Sequence, residues 1–286
     1  MVDLHTHSTA SDGSLTPTEL VRLAKARGLA AIALTDHDTV DGLAEAMAAG
    51  QAYGLEVIPG VEISAQHTQG SMHILGYWVN YESPRLAERL AVLQEARRNR
   101  NPRIIAQLNA LGIPLTLEEV QRLSGGGQVG RPHIARALYE GGYVRSLQEA
   151  FDIYLGNQGK AYVSKFRYPP GEAIAMIREA GGLAVLAHPF TLGLDTYGSL
   201  KPFLKELMIL GLVGLECYYP EHTLSQEALY VSLARELGLL ITGGSDFHGD
   251  NKPEVDLGRC PCQARLTYDL VAAMKDRRQG KGTQGR

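Results

Sequence analysis

Cysteine is scarce in this chain, and its spacing excludes the usual cysteine-based sites. The 286 residues include three cysteines, an odd count. Cys260 and Cys262 are separated by a single proline, which is not the two-residue spacing of a zinc knuckle or a thioredoxin motif. We therefore expect Cys217, Cys260 and Cys262 to be reduced thiols without a chemical role, as in a reducing compartment.

Long hydrophobic runs and a strong charge of one sign are also missing. The sequence has no run of about 18 apolar residues that could cross a bilayer, and its first residues do not resemble a signal peptide. The formal net charge is -3, so no overall basic field attracts nucleic acid, although a local basic patch is not excluded. These absences predict a cytoplasmic protein that does not bind a membrane.

The pattern that is present is an alternation of short apolar runs with helical segments. Apolar residues make up 44% of the chain, enough for a large core in one domain or one domain with an insertion. The alternation predicts an α/β protein with a mostly parallel sheet, either a barrel or an open sheet. The predicted strands are 2–7, 29–38, 55–64, 71–79, 182–189, 211–219 and 238–248, and the predicted helices between them are 16–28, 41–53, 170–180, 199–210 and 223–237.

The middle of the chain is almost purely helical in pattern. We interpret residues 83–158 as a helical insertion over one end of the sheet, inside a discontinuous domain formed by 1–82 and 159–275. The polar, glycine-rich tail 276–286 is expected to fray. The four arginines of EARRNRNPR (95–103) favour a solvated helix face over a strip that binds the phosphates of an oligonucleotide.

Histidine and acidic residues are concentrated where the predicted strands end. Side chains at positions i and i+2 point to the same side of a strand, so His5 and His7 point together, as do Asp246 and His248. The C-terminal ends of parallel strands share one face, where active sites are built. The residues expected to converge there are His5, His7, Asp12, His37, Glu62, His73, His188, Asp246 and His248.

Imidazoles beside carboxylates indicate divalent metal ions. These ligand types suit Zn, Mn and Fe(II), and the set contains no thiolate. Nine candidate ligands divide into three per ion for three ions. If one carboxylate bridges two ions, each catalytic ion keeps a position open for water. We therefore expect two or three divalent metal ions on this face.

The same residues lie in motifs that resemble those of the PHP (polymerase and histidinol phosphatase) family. The matching motifs are DLHTHSTASDG, LTDHDTVDG, PGVEIS, HILGY, LAHP and GSDFH, within residues 1–80 and 180–258. The resemblance implies a distorted seven-stranded (β/α) barrel with a trinuclear metal site. The insertion, with GRPHIAR and GKAYVSKF, looks like the branch that contains bacterial nucleoside 3',5'-bisphosphate phosphatases and 5'-to-3' exoribonucleases.

The resemblance also assigns the candidate ligands to three ions. It implies His5, His7, Glu62 and Asp246 for the first ion, Glu62, His73 and His188 for the second, and Asp12, His37 and His248 for the third. Several family members have histidine where this chain has Asp12, and a carboxylate favours a harder ion there. Mn²⁺ is our first expectation, with Fe²⁺ or Zn²⁺ as alternatives.

The expected chemistry is hydrolysis of a phosphoester. A metal cluster lowers the pKa of bound water from about 15.7 towards 7, and we expect a metal-bridging hydroxide to attack phosphorus in line. The resemblance and this chemistry make Glu62, Asp246, His188 and His222 the candidate catalytic residues, with His222 able to bind the phosphate or protonate the leaving oxygen. The candidate substrate-binding residues are Arg131, Lys160, His133 and His222, arginine being able to bind phosphate through two nitrogens.

Removal of the 3'-phosphate from nucleoside 3',5'-bisphosphates is the function that these features favour. A 5'-to-3' exonuclease on short oligonucleotides uses the same chemistry, as does a histidinol phosphatase, which the insertion disfavours. A non-catalytic PHP module associated with nucleic acid is the alternative from another class, and the intact ligand set argues against it. The expected partner is a small phosphorylated substrate, either a nucleotide or a short oligonucleotide.

Overall fold

Seven strands form one sheet that nearly closes into a barrel, as expected. The computed structural model describes residues 1–124, 128–259 and 263–280. The strands follow one another around the sheet in chain order, and each coincides with a predicted strand. They are β1 (Val2–Thr6), β2 (Ala31–Leu34), β3 (Glu56–Ala65), β4 (Met72–Tyr77), β5 (Leu183–Leu186), β6 (Gly214–Tyr218) and β7 (Leu240–Gly243).

The sheet is mostly parallel, and β4 is the exception. β1 to β3 run parallel, and so do β5 to β7, whereas β4 is antiparallel to both of its neighbours. The barrel is closed at one end by a bridge between Thr6 and Phe247, where the Phe247 carbonyl accepts a hydrogen bond from the His7 N–H at 2.9 Å. The segment after β7 therefore lies directly beside the segment after β1.

Helices cover the sheet and build the middle of the chain. α1 begins as its sequence indicates, because Thr16 and Glu19 cap each other's backbone N–H groups. A π-helical turn, Phe151–Leu155, continues α6. The helices of the described part are α1 (Pro17–Ala26), α2 (Leu43–Tyr53), α3 (Pro84–Ala110), α4 (Leu117–Leu123), α5 (Arg131–Glu140), α6 (Leu147–Ala150), α7 (Pro170–Glu179), α8 (Tyr197–Leu210), α9 (Leu224–Leu237) and α10 (Tyr268–Arg278).

Alternate residues of a strand belong to two different parts of the hydrophobic core. In β2, Ala31 and Ala33 belong to the cluster inside the barrel, whereas Ile32 and Leu34 pack against the surrounding helices. A separate cluster, which runs from Ile104 to Val163 in the chain, holds the middle segment together. α3 joins the two regions, because its first half packs on the barrel and its second half in the separate cluster. The insertion boundaries at 83–158 stay a prediction.

The C-terminal segment differs from the expectation that it frays from residue 276. α10 continues to Arg278, because Lys275 pairs with Glu56 at 2.7 Å and the Arg277 guanidinium donates to the Gly238 carbonyl at 2.8 Å. Basic side chains in the last turn also suit the helix dipole. Residues 281–286 lie outside the described residues.

Cys217 is a buried free thiol, as expected, while Cys260 and Cys262 lie outside the described residues. Within the part of the chain that the structure describes, none of the helices combines the length and the apolar character needed to cross a membrane.

Asp3 ties the first strand to the segments that follow the last one, and its replacement should destabilise the barrel. The buried carboxylate accepts hydrogen bonds from the Ser245 N–H at 2.9 Å, the Ser245 hydroxyl at 2.5 Å and the Gly258 N–H at 2.9 Å. Because hydrogen bonds to a charged group contribute about 1.5–3 kcal/mol each, we expect Asp3→Asn to lower the free energy of unfolding by about 3 kcal/mol in urea denaturation. The exposed Asp195→Asn is the matched control, and equal midpoints for the two variants would contradict the prediction.

Candidate metal centre

All nine candidate ligands lie together at one mouth of the barrel. Most of them follow the C-terminal ends of parallel strands, as predicted. The prediction of a strand-end position is wrong for His73, which stands near the start of β4. Because β4 runs antiparallel to its neighbours, its beginning lies at the same mouth, where His73 is paired in register with Ser64. Glu62 is not at a strand end either. It lies inside β3, the longest strand, which extends into the mouth and bridges to His37.

Glu62 is the centre of this cluster. Its side chain is wholly buried, and its two carboxylate oxygens face imidazole nitrogens from four different segments of the chain. The Oε2 atom lies 3.3 Å from His5 Nε2, 3.3 Å from His7 Nε2 and 2.9 Å from His37 Nδ1, and the Oε1 atom lies 2.8 Å from His73 Nδ1 and 2.9 Å from His188 Nε2.

The ligand atoms form three overlapping groups, each with atoms within 4.8 Å of one another. The first group is the set expected for the first ion. The second contains the set expected for the third ion, with His7 added. The last group contains Glu62 and His73, which were expected at the second ion, together with His37, which was expected only at the third ion. His188, also expected at the second ion, lies beside Glu62 and His73. The groups are His5, His7, Glu62 and Asp246; His7, Asp12, His37 and His248; and His37, Glu62 and His73.

Buried atoms without hydrogen-bond partners show that these residues fit metal ions. In native proteins nearly all buried polar atoms are paired. Within the described ranges, five of the candidate ligand atoms in this cluster are buried and face one another without making a hydrogen bond: His5 Nε2, His7 Nε2, Asp12 Oδ1, His37 Nδ1 and Glu62 Oε2. Nitrogen and carboxylate donors that converge in this way match the ligand preference of divalent transition metals.

Glu216, which the sequence analysis did not single out, orients two of the candidate ligands. It lies on β6 and is wholly buried. Its carboxylate oxygens lie 3.0 Å from His5 Nδ1 and accept a hydrogen bond from the His188 N–H at 2.7 Å. A carboxylate on the far nitrogen of an imidazole leaves the other nitrogen free for a metal. The only sequence signal was an acidic residue within an apolar strand.

The second key carboxylate, Asp246, is held by its own neighbours. Its Oδ1 atom lies 3.3 Å from His5 Nε2 and 3.1 Å from His7 Nε2. Its Oδ2 atom accepts hydrogen bonds from the Tyr219 hydroxyl at 2.8 Å and the Lys252 ammonium at 3.1 Å. Burial alone would raise the pKa of this carboxyl, but Lys252 and His5 hold the pKa well below its usual range. Asp246 is therefore ionised at neutral pH.

Backbone strain is also concentrated here. Among the described residues, four that are not glycine have a positive φ, and three of them are Asp38, His188 and Asp246. His188 and Asp246 are candidate ligands, and Asp38 follows the candidate ligand His37. Strained conformations of this kind cost of order 1–3 kcal/mol each and cluster at functional sites.

A basic cavity of about 120 Å³ adjoins the ligand cluster. Its wall includes Asp12, His37, His73 and His248, all of them candidate ligands. The same wall carries five cationic side chains, which we name the basic cluster: Arg97, Arg100, Arg131, Lys165 and Arg167.

The interpretation of residues 95–103 as a solvated helix face is wrong for two of its arginines. Arg97 and Arg100 are only 6% and 3% exposed because they turn from α3 into the basic cavity. Asp38 pairs with Arg97 and with Lys165, both at 2.7 Å. Burial and the neighbouring Arg97 and Arg131 lower the pKa of Arg100, whose Nε atom has no partner among the described residues. The cavity therefore carries excess positive charge.

Of the four predicted substrate-binding residues, Arg131 is among the described residues that line the basic cavity, and the others lie elsewhere. Arg131 lines the cavity and donates to the Leu155 carbonyl at 2.9 Å. Lys160 is exposed and is not among the described residues of this wall, where Lys165 provides the ammonium group. His133 is buried, and its Nδ1 atom accepts a hydrogen bond from the Gly130 N–H at 3.0 Å.

His222 is held outside the described wall of the basic cavity. Its Nδ1 atom donates to the Cys217 carbonyl at 3.0 Å, and its ring packs against Tyr219. Burial lowers the pKa of His222, so the neutral ring presents Nε2 as an acceptor. That form does not suit protonation of a leaving oxygen.

Comparisons with known proteins agree with this geometry. A Chromobacterium violaceum protein named 3',5'-nucleoside bisphosphate phosphatase is 35% identical over 262 residues, which cover 90% of each chain. An Escherichia coli K12 protein named 5'-3' exoribonuclease Rnm is 37% identical over 263 residues, 90% of this chain and 88% of that one. A solved structure from Bifidobacterium adolescentis, described as a presumed metal-dependent phosphoesterase, superposes with a TM-score of 0.86 at 31% identity and covers 97% of this chain and 96% of its own. The family model of the PHP domain matches residues 3–165, and the chain belongs to this family.

Proposed function

We propose that this metal-dependent phosphoesterase of the PHP family removes the 3'-phosphate of nucleoside 3',5'-bisphosphates. The observation that carries the proposal is the shared wall of the basic cavity, where candidate metal ligands stand beside five cationic side chains. A metal cluster suits the phosphate that reacts, and the excess positive charge suits a second phosphate on the same molecule. A nucleoside 3',5'-bisphosphate carries two phosphates that can be placed in this way.

The proposed ligands are those expected from the family resemblance, with Mn²⁺ as first choice and two or three ions in total. His5, His7 and Asp246 would hold the first ion together with Glu62, His73 and His188 would hold the second together with Glu62, and Asp12, His37 and His248 would hold the third. Divalent ions bound by these donors supply Lewis acidity and lower the pKa of bound water to about 7.

The residues of the chain would bind and orient the substrate. Arg100 and Arg131 line the basic cavity and would hold the distant phosphate through paired N–H groups, and Lys165 would add an ammonium charge. Asp38 pairs with Arg97 and Lys165 and would hold both cations in position. Glu216, Tyr219 and Lys252 hold the ligands His5 and Asp246 in place.

A 5'-to-3' exonuclease on short oligonucleotides is the second candidate function. Release of a 5'-nucleotide breaks the same bond, between phosphorus and the 3'-oxygen, and relatives of similar identity carry both names. The two functions are distinguished by product analysis with Mn²⁺ on adenosine 3',5'-bisphosphate and on a short 5'-phosphorylated oligonucleotide. We expect faster release of phosphate from the bisphosphate than of mononucleotides from the oligonucleotide. No release from either substrate by the metal-loaded protein would contradict both.

Glu62→Gln should remove activity together with bound metal while the barrel remains folded. The amide cannot supply two anionic oxygens to the surrounding imidazoles, and even changes to residues that only orient a ligand cost about 10–100-fold. We expect a loss of phosphate release of more than about 100-fold, with a lower metal content by elemental analysis. The exposed Glu254→Gln is the control. Wild-type metal content and rate in Glu62→Gln would refute the assignment.

Arg100→Met should weaken binding of the second phosphate and at the same time stabilise the fold. We expect KM for the bisphosphate to rise by about 10–100-fold, the loss of one to two charge-assisted hydrogen bonds. Because the change also removes a buried cation that has excess positive charge around it, the thermal unfolding midpoint should rise. Arg103→Met, an exposed change on the same helix, is the control. An unchanged KM with a lowered midpoint would show a purely structural role.

A further inference from the structure

A second cavity, of about 730 Å³, lies beside the basic cavity. Its volume falls within the about 300–1,000 Å³ that is typical of small-molecule sites. Four of its lining residues carry side-chain amides: Gln94, Asn101, Gln121 and Gln128. Leu117 and Val129 add apolar surface. We name this space the amide cavity.

Two buried amide atoms of this cavity have no hydrogen-bond partner among the residues that the structure describes. The Asn101 side chain is 4% exposed, and its Nδ2 group donates to the Val129 carbonyl at 2.8 Å. This hydrogen bond fixes the orientation of the amide and leaves Oδ1, an acceptor, buried and unpaired among the described residues. The Nε2 donor of Gln128 is unpaired in the same part of the structure. One lining residue therefore needs a donor and another needs an acceptor.

The amide cavity adjoins the basic cavity along three segments of the chain. On α3, Arg100 lines the basic cavity and Asn101 lines the amide cavity. In the segment that enters α5, Val129 lines the amide cavity and Arg131 lines the basic cavity. In the loop after β1, Ala10 lines the amide cavity and Asp12 lines the basic cavity. Two residues of extended chain span at most about 7 Å. The two cavities therefore lie side by side, within the span of one nucleotide.

The chemistry of the two unpaired atoms selects among bases. Adenine presents an exocyclic amino donor next to a ring-nitrogen acceptor, the pattern that side-chain amides read in nucleic acids. Hypoxanthine carries a carbonyl oxygen in place of the amino group, so Asn101 Oδ1 would face a second acceptor. Apolar surface from Leu117 and Val129 suits the faces of a flat ring.

We propose that the amide cavity is a base-specificity site, in which Asn101 Oδ1 accepts from the exocyclic amino group of an adenine base and Gln128 Nε2 donates to a ring nitrogen. The inference deepens the proposed function and rests on it for the identity of the substrate. Neither residue belongs to the metal centre, so the site would act on substrate choice and binding and leave the chemistry of phosphate release unchanged.

The experiment compares three substrates that differ only at the base: adenosine 3',5'-bisphosphate, inosine 3',5'-bisphosphate and the abasic sugar bisphosphate. For the Mn²⁺-loaded wild-type protein we expect kcat/KM to fall by about tenfold from adenosine to inosine, through KM, because one base-reading pair is lost. Asn101→Ala should lose this preference and keep the wild-type rate on the abasic substrate. Gln128→Ala provides a second variant if the first is unstable, and the exposed Gln107→Ala on the same helix is the control.

Binding of adenosine and inosine 5'-monophosphates, followed by calorimetry, separates the two proposals. A preference for the adenosine nucleotide that is lost in Asn101→Ala, without turnover of any substrate, would support the base site and contradict the phosphatase function. Turnover of all three substrates with equal kcat/KM would overturn the base site and leave the phosphatase function intact. Neither binding nor turnover would overturn both.

Discussion

The sharing of one buried carboxylate among five imidazoles is the interaction on which the mouth of this barrel depends. Glu62 is wholly buried, and burial alone would raise the pKa of its carboxyl. His37, His73 and His5 instead hold the pKa well below its usual range. The strands that deliver these histidines can therefore meet at one point without an unpaired charge, and the barrel is drawn together around a polar centre that divalent ions are suited to complete.

Two sets of charged or polar groups surround this centre. The ligand carboxylates are held by groups behind them, such as Tyr219 and Lys252 at Asp246. The basic cluster lines the same cavity as four of the candidate ligands, and Asp38 pairs with both Arg97 and Lys165. Asp38 balances only part of that positive charge, and a bound phosphate can balance the rest. This arrangement supports the proposed substrate, an anion whose reacting group would face the metal ligands and whose second group would face the arginines.

The fold and the candidate ligands were largely predictable because their signals are local. Short apolar runs between helical segments identified all seven strands, and histidines at successive strand ends are hard to explain by anything but a common site. The direction of β4 was missed in the sequence analysis, although only about six residues separate the end of β3 at Ala65 from the start of β4 at Met72, too few for a parallel crossover. This direction decides why His73 reaches the mouth. The position of His188, by contrast, followed from its strand end alone.

The basic cluster escaped prediction for a physical reason. A helix that buries Arg97 and Arg100 has the same sequence pattern as a helix that exposes them. The pattern shows which face of the helix is polar, but it does not show whether that face meets solvent or a polar cavity. Burial of Arg100 beside other cations lowers stability, and the described residues contain no carboxylate that pairs with it. A fold selected for stability alone would favour an apolar side chain there. The retained charge is explained if its partner arrives with the substrate, because a bound phosphate would offset the cost of burying Arg100 beside other cations.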